Sequence, residues 1–253
     1  MGAADQPADQ PADQPADQPD VIVVGGGITG SEAAWRLARG GVSTLLVTTS
    51  LDTIATLPGD GWSFEAPSGG VLAGVAHEAR SASRWSARAL HRGVKRDLER
   101  EPALHVLQST VVDLRLDEAG RVTGVATWEG VERAAPRVAL CLGTFLGARL
   151  TVGDTMERAG RLSELADDAL FERLGALGVR FVDREASIEG DALSPGYRVT
   201  FHALHADETD DHGRVRRLPG LYAFGLCAGG PCDLTASAEA GRQAAQTLSV
   251  SVG

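Results

Sequence analysis

A run of glycines follows a short apolar segment near the start of this chain, a pattern typical of a site for the phosphates of a dinucleotide. Val21–Val24 has the branched residues of a buried strand, and Gly25, Gly27 and Gly30 then show the Gly-x-Gly-x-x-Gly spacing. Gly25 permits a tight turn, Gly27 lets the backbone approach a pyrophosphate, and Gly30 allows close helix–strand packing. The phosphates would lie at the helix N-terminus, where free N–H groups favour an anion.

Apolar periodicity supplies the elements that must position this turn. Ala33, Ala34, Leu37 and Ala38 fall on one helical face, and Val42–Val47 supplies a second strand. A purely structural turn can contain the same glycines, but the complete strand–helix–strand context favours the dinucleotide site. The residues predicted to contact the cofactor here are Gly25, Gly26, Gly27, Ile28, Thr29 and Gly30.

The middle of the chain predicts a long loop, a helix and a β-meander. The loop over 48–74 contains glycine and proline and is expected to cover a ligand. A helix rich in Ala, Arg and Glu is predicted over 75–101, where Pro102 ends it. A period of two over 105–142 then predicts meander strands that return to the main sheet, with a hairpin turn at 117–120.

The last third predicts a second helix, a short strand and a closing helix. The second helix is expected over 164–178, and the chain closes with a strand over Leu221–Gly225 and a helix from about Thr235 to Leu248. The residues expected to face inward from the second helix are Leu165, Ala169, Leu170, Leu174 and Leu177. These elements predict an α/β fold with a mainly parallel sheet, helices on one side and a β-meander on the other.

Composition limits the classes of function. The formal net charge is −10, and five of the acidic residues lie within the first 20 residues, so a basic face for nucleic acid is not expected. Residues 4–19 are four copies of Ala-Asp-Gln-Pro, which predicts a disordered tail over 1–19 and a single folded domain over 20–253.

Three cysteines are too few for a disulfide framework and indicate a reducing, cytoplasmic setting. No segment has the pattern of an export signal or a membrane span. Direct binding to nucleic acid by this chain alone is not expected, whereas a protein partner or a homo-oligomer is left open.

Two later segments favour FAD over NAD. The apolar strand Val138–Leu142 ends in Gly143-Thr144, like a strand-to-glycine junction beside a flavin. The segment Leu218–Gly225, followed by a small-residue loop and a helix, is similar to the C-terminal flavin motif of two-dinucleotide-type flavoproteins. The predicted fold is therefore Rossmann-like, of the FAD/NAD(P)-binding glutathione-reductase type. The further predicted cofactor contacts are Val112, Gly143, Thr144, Gly225, Leu226, Cys227 and Ala228.

The sequence resembles the glucose-inhibited division protein A (GidA) family, FAD proteins that take part in modifying the wobble uridine of tRNA. The resemblance is carried by the glycine turn, by Leu45–Ala55 with its Leu-Asp-Thr-Ile stretch, and by Leu142–Gly153 with its Gly-Thr-Phe-Leu stretch. It implies non-covalent FAD and a flavin-dependent oxidoreductase. Thr48 or Thr49 stands where many dinucleotide enzymes have a ribose-binding acid, with Asp52 nearby as a substitute.

The chain also departs from the family. Full members are far longer and have an inserted domain and a C-terminal helical region for tRNA and partner contacts. The family typically has a cysteine near the flavin in the loop after Ile54, whereas this chain has Thr56–Trp62 without one. The alternative function is therefore a non-catalytic FAD-binding or accessory module in RNA modification, and a plain NAD-dependent enzyme is a weaker third reading.

Other reactive residues give weaker signals, and no catalytic residue or metal site is assigned. Cys227 and Cys232 have the spacing of a redox pair, but small buried thiols are the default. His202 and His205 with the acids that follow them suggest a polar surface loop rather than a metal site. The basic residues at helical spacing suggest a solvated face, with Arg88 as a candidate for an anion; they are Arg84, Arg88, Arg92, Lys95 and Arg96.

Overall fold

The computed structural model describes residues 18–58, 60–190 and 195–249, so residues 1–17 of the predicted tail lie outside the described residues. The strands are β1 Val21–Val24, β2 Thr44–Thr48, β3 Arg80–Ser81, β4 Arg84–Trp85, β5 Leu104–Gln108, β6 Val111–Leu116, β7 Val122–Thr127, β8 Glu132–Ala134, β9 Val138–Leu140, β10 Arg149–Val152, β11 Thr155–Glu157, β12 Ala159–Arg161, β13 Glu164–Leu165, β14 Phe181–Ile188, β15 Tyr197–Leu204 and β16 Leu221–Ala223. The α-helices are α1 Ile28–Arg39, α2 Val71–Ala79, α3 Ala87–Glu99, α4 Asp168–Ala176 and α5 Leu234–Ser249.

The centre of the fold is a five-stranded parallel sheet in the order β16-β9-β1-β2-β5. The buried strand β1 pairs with β2 and β9, with Val23 opposite Leu46 on one side and Ala139 on the other. All five strands run the same way, so their carboxyl ends meet at one edge of the sheet. This edge is where open α/β sheets bind ligands.

The two faces of the sheet bury different partners because successive strand residues point to opposite sides. Val21 and Val23 belong to a core formed with α1, α2, α3 and α5. Ile22 and Val24 belong to a second core formed with the antiparallel meander β6-β7-β8 and with α4. The sequence prediction of an α/β fold with a parallel sheet and a meander is therefore confirmed.

The structure also contains a second sheet that the sequence did not predict. Its strands lie between β9 and β16 in sequence. Strands β11-β10-β15-β14 form a four-stranded antiparallel sheet, and β12 and β13 form a small hairpin. Tyr197, Val199 and Phe201 alternate inward along β15 and build a third core. This sheet supplies one wall of the cavity described below.

The prediction of one helix over 75–101 is wrong. The chain forms α2, the short hairpin β3–β4, and then α3. Trp85 is buried and stacks on Phe64, with ring centroids 4.5 Å apart, so the chain leaves the helix to bring this ring into the core. Ala82, at the hairpin tip, has a φ of 53°. A non-local aromatic contact therefore overrides a helix-forming composition.

Two further expectations need correction. Of the four predicted meander strands, β5 and β9 belong to the parallel sheet, and β6 and β7 form the meander together with β8, which the sequence did not predict. The second helix begins at Asp168 and ends at Ala176. Leu165 was expected to face inward but is 81% exposed, because it lies in β13. The predicted hairpin turn at 117–120, the last strand and the last helix are all present.

Candidate functional site

A cavity of about 470 Å³ opens at the carboxyl edge of the parallel sheet. Residues that directly follow β1, β2, β5 and β9 form one wall, and residues of β12–β15 and the loop after β2 form the other. The wall residues of the first group are Gly25, Gly26, Gly27, Ile28, Thr29, Thr48, Thr49, Ser109, Cys141, Leu142, Gly143 and Thr144. Those of the second group include Thr53, Thr56, Pro58, Trp62, Ser63, Gly160, Arg161, Glu164, Asp167, Glu185, Ala186, Ser187, Ile188, Tyr197 and Val199.

The glycine turn between β1 and α1 is packed on one side and open on the other. Gly25 has a φ of 107°, and a Cβ atom there would lie 2.5 Å from the Cys141 carbonyl oxygen. A Cβ atom on Gly30 would lie 1.8 Å from the Gly25 carbonyl oxygen. A Cβ atom on Gly27 would meet no atom within 4 Å, so this residue faces open space. The packing at Gly25 and Gly30 is that of a tight turn and of close helix–strand contact, whereas Gly27 leaves open space in front of the turn.

The N-terminus of α1 is directed at the cavity without a side-chain cap. Gly27 is the N-cap residue, and no side chain accepts a hydrogen bond there. The first intrahelical donor is the Ser31 N–H group, which donates to the Gly27 carbonyl at 2.9 Å. The N–H groups of Ile28 and Thr29 therefore have no partner within the helix and are available to an anion in the cavity.

One arginine joins β12 to the loop after β2 within the second wall. The Arg161 guanidinium donates to the Thr56 carbonyl at 2.9 Å and pairs with the Glu164 carboxylate. The Thr144 hydroxyl donates to the Gly160 carbonyl at 2.7 Å, which joins the segment after β9 to β12. The Arg161 bond thus joins two parts of the second wall, and the Thr144 bond joins that wall to the first.

Two polar groups in the wall lack the partners that buried polar groups normally have. Within the described residues, the buried Thr56 hydroxyl oxygen has no hydrogen-bond partner. Asp167, at 8% exposed, is the N-cap residue of α4 but makes no side-chain cap bond. Burial, and to a smaller extent the neighbouring Asp168 carboxylate, raise the pKa of Asp167 to about 7. Burial also raises the pKa of Tyr197.

Ten of the sixteen predicted cofactor-contacting residues lie in the cavity wall. They are Gly25, Gly26, Gly27, Ile28, Thr29, Thr48, Thr49, Gly143, Thr144 and Leu226.

The remaining six predicted contacts lie outside the described cavity wall. Asp52 is exposed and lies 3.8 Å from the Lys95 amine. The Cys227 thiol is buried and donates to the Leu140 and Phe224 carbonyls at 3.4 and 3.3 Å. The others support the wall from behind or lie beside it; they are Gly30, Val112, Gly225 and Ala228. Gly225, for example, has a φ of 73° and packs against the Thr29 side chain.

Sequence reasoning missed most of the second wall. The signal for part of it was present, because β15 has a clear period-two alternation of apolar and polar residues. The signal for β14 was weak, because Asp183, Arg184 and Glu185 interrupt any apolar pattern. Nothing local marks Asp167 or Thr56, because their burial comes from elements distant in sequence.

The weaker candidates fall outside any clear site. His202 lies within β15, where its ring stacks on Phe171 with centroids 4.3 Å apart, so this part of the predicted surface loop is a strand. No group of three His, Cys, Asp or Glu side chains suited to a metal ion occurs in the part of the chain that the structure describes. Arg88 is exposed and lies outside the described cavity wall.

Cys227 and Cys232 are separate free thiols in the structure. Cys232 is exposed and also lines the cavity, and its sulfur lies 3.8 Å from the Arg184 guanidinium.

Among the described helices, none is long and apolar enough to cross a membrane.

The parallel sheet, the glycine turn and the cavity at the strand ends together define a Rossmann-type fold of the FAD/NAD(P)-binding kind. A Bacillus anthracis protein assigned as thioredoxin reductase TrxB shows the same fold, with a TM-score of 0.54 at 14% sequence identity over 92% of this chain and 98% of its own. The model of the glucose inhibited division protein A family matches residues 20–188. This chain belongs to that family.

Two solved structures show how the chain relates to other members. The GidA-related protein from Thermus thermophilus is 39% identical, with a TM-score of 0.81 over 90% of this chain and 97% of that protein. GidA from Aquifex aeolicus is 16% identical, with a TM-score of 0.79 over 93% of this chain. The match covers 63% of the Aquifex chain, so this chain spans about two thirds of the length of that GidA.

Proposed function

We propose that this protein binds FAD non-covalently in the cavity and works as a flavin-dependent oxidoreductase. The observation that carries the proposal is the open space in front of Gly27, beside the uncapped N-terminus of α1. The partnerless Thr56 hydroxyl in the opposite wall, as the described residues leave it, gives a second, independent indication that the cavity is built around a polar ligand. The GidA-family membership supports FAD as that ligand.

Each wall has a distinct task in this proposal. The N–H groups of Ile28 and Thr29 would bind the pyrophosphate, because a helix N-terminus favours an anion. Thr48 and Thr49, at the end of β2, would bind the adenosine half, since the end of the second strand is where this fold places the ribose. The wall formed by β12–β15 is then left for the flavin and for a substrate.

A bound flavin supplies two-electron chemistry, and the protein supplies position, electrostatics and exclusion of water. The apolar side chains of the second wall include Trp62 and Pro58 of the loop after β2 and Tyr197 and Val199 of β15. These side chains would keep solvent from the reacting atoms while leaving the polar groups of Glu164 and Asp167 in reach of a ligand.

A second candidate function is a non-catalytic FAD-binding module that assists RNA modification. The observation that favours it is the composition of the loop after β2, whose described wall residues include Thr56, Pro58 and Trp62 but no cysteine. A two-electron turnover with a defined donor and acceptor would exclude the non-catalytic function.

We also propose that residues 20–253 act as one FAD-binding domain. On the basis of the cysteine content, we propose that the protein is cytoplasmic.

The first experiment is the visible absorption spectrum of the purified protein, with mass identification of any released cofactor. We expect a flavin spectrum and a released mass equal to that of FAD. A colourless protein that takes up no FAD on reconstitution would contradict the proposal.

A glycine variant tests the location of the cofactor. Gly27→Ala adds a methyl group that meets no protein atom, so the free energy of unfolding without cofactor should change by less than about 0.5 kcal/mol. The same methyl group would obstruct the pyrophosphate, and we expect FAD affinity to fall by about tenfold or more. Gly74→Ala, which also meets no atom within 4 Å, is the matched control and should bind FAD normally.

A further inference from the structure

The described cavity wall has more acidic than basic side chains, although the proposed ligand carries a negatively charged pyrophosphate. Among the described residues of the wall, Arg161 is the sole lysine, arginine or histidine. The acidic residues of the same wall number four, and they are Glu164, Asp167, Glu185 and Asp233. Because like charges repel most strongly where water is excluded, the ionisation of each carboxyl group matters for binding.

Three of these four carboxyl groups are compensated by a neighbour. Glu164 pairs with Arg161, and Glu185 lies 3.6 Å from the Arg198 guanidinium. Asp233 accepts a hydrogen bond from the Ala236 N–H group at 2.7 Å, at the start of α5. Each of these carboxyl groups therefore has a cation or a hydrogen-bond donor beside it.

Asp167 has no such partner. In the part of the chain that the structure describes, neither a hydrogen-bond donor nor a cation contacts its carboxyl group, although it is 8% exposed and lines the cavity. A buried carboxylate without a partner is costly, so such a group is retained as the neutral acid, which can donate a hydrogen bond.

The groups around Asp167 do not remove this preference. Asp168 adds a second negative charge beside it, and that charge is already paired with Arg149 at 2.9 Å and Arg158 at 3.6 Å. The other ionisable side chains of the described cavity wall are Cys141, Arg161, Glu164, Glu185, Tyr197, Cys232 and Asp233. His202 of β15 packs on Phe171 of α4 and lies 3.4 Å from the Asp183 carboxylate. Burial first and Asp168 second hold the pKa of Asp167 near 7.

Resting on the proposed function, we propose that Asp167 makes cofactor binding depend on a proton: FAD binds when the Asp167 carboxyl group is the neutral acid and donates a hydrogen bond into the cavity. Ionised Asp167 offers no donor and adds an uncompensated negative charge to a cavity that must also accept a pyrophosphate. Asp167 thus determines how cofactor binding depends on pH. Where the free protein has lost the Asp167 proton, binding of FAD takes up a proton.

The pH dependence follows from this linkage. Below about pH 7 the acid is already protonated, so FAD affinity is independent of pH. Above about pH 7 a proton must bind together with FAD, so the affinity falls by up to about tenfold for each further pH unit. Asp167→Asn retains a donor and cannot ionise, so its affinity should stay level over the same range and exceed that of the wild type at about pH 8.5.

The experiment measures FAD affinity of the cofactor-free full chain by quenching of flavin fluorescence, between about pH 6 and about pH 8.5. Glu172→Gln, on the exposed side of α4, is the matched control and should follow the wild-type curve. Asp167→Ser, which also keeps a hydroxyl donor and a favourable N-cap, is the second variant if the asparagine variant folds poorly. Calorimetry in two buffers of different ionisation enthalpy should show proton uptake at about pH 8 for the wild type and for Glu172→Gln, but not for Asp167→Asn.

The outcomes separate this inference from the proposed function. FAD that binds to the wild type and to Asp167→Asn with the same pH dependence would overturn the inference and leave FAD binding in place. A wild-type affinity that does not change with pH would do the same. A wild-type protein that binds no FAD at about pH 6 would overturn both.

Discussion

The Thr29 hydroxyl donates a buried hydrogen bond to the Ser237 carbonyl at 2.8 Å, across 208 residues of sequence. The bond joins the first turn of α1, which faces the cavity, to the last helix of the fold. The two helices also approach closely at Gly241, where a Cβ atom would lie 2.5 Å from the Thr29 carbonyl oxygen. The position of the α1 N-terminus thus depends on α5.

Thr29→Val tests this link, because valine keeps the shape of threonine and removes the hydroxyl. We expect the free energy of unfolding to fall by about 1 kcal/mol, the usual value of one buried hydrogen bond. FAD affinity should fall by about threefold or more if the α1 N-terminus shifts. Urea unfolding and flavin titration measure the two effects. Thr123→Val, in β7, is the control, and an equal loss in that variant would refute the specific role of the bond.

Glu208 is a buried carboxylate that holds together the segment before β16. Its side chain is 2% exposed and lies 2.6 Å from the Arg217 guanidinium and 2.7 Å from that of Arg180. The hydrogen bond from Arg217, and then that from Arg180, lower its pKa to about 2. Because the folded-state pKa is lowered, the stabilisation is present above about pH 4.5 and is lost as the pH falls toward about 2.

Glu208→Gln should therefore lower the free energy of unfolding by about 2 kcal/mol at neutral pH, since both arginines are partly exposed and the pair is partly screened. The difference from the wild type should shrink as the pH falls below about 4.5. Urea unfolding across this range is the measurement. Glu132→Gln removes the exposed pair with Arg115 and should change stability by less than about 0.5 kcal/mol. A constant difference at all pH values would contradict the ion-pair account.

Trp85 supports the cavity wall from behind. Its ring stacks on Phe64 and its indole N–H donates to the Phe64 carbonyl at 3.0 Å, while its backbone N–H donates to the Trp62 carbonyl at 2.8 Å. Trp62 lines the cavity. Trp85→Ala should lower the free energy of unfolding by about 4 kcal/mol and weaken FAD binding. Trp128→Ala, at a side chain that is 67% exposed, is the control for tryptophan loss in urea unfolding.

The sequence allowed the first half of the site to be predicted because its signals are local. The glycine spacing, the branched strand and the apolar helix face of residues 21–38 all lie within one continuous segment, and each is found where it was expected. The second half depends on contacts between distant segments. Trp85 ends a helix by packing on Phe64, and Asp167 is buried only because β13 and α4 meet the segment after β9. Composition and periodicity carry no information about such contacts.

The three thiols give a final prediction, which also tests the suggestion of a Cys227–Cys232 redox pair. Burial raises the pKa of Cys141 and raises that of Cys227 to about 11, so both thiols remain protonated in the native state. Cys227 is fully buried, and Cys141, although it borders the cavity, is only 4% exposed. Cys232 is exposed and lines the cavity.

A thiol reagent should therefore modify one cysteine rapidly in the native protein and all three after unfolding. FAD should slow the rapid reaction, because the cofactor would occupy the cavity that Cys232 lines. Mass spectrometry of the labelled peptides identifies the site, and Cys232→Ser should abolish the rapid phase. Two results would contradict this prediction: rapid labelling of Cys227, or a Cys227–Cys232 disulfide formed under mild oxidation. Either result would show that the loop between the two cysteines opens readily and would support the hypothesis of a redox pair.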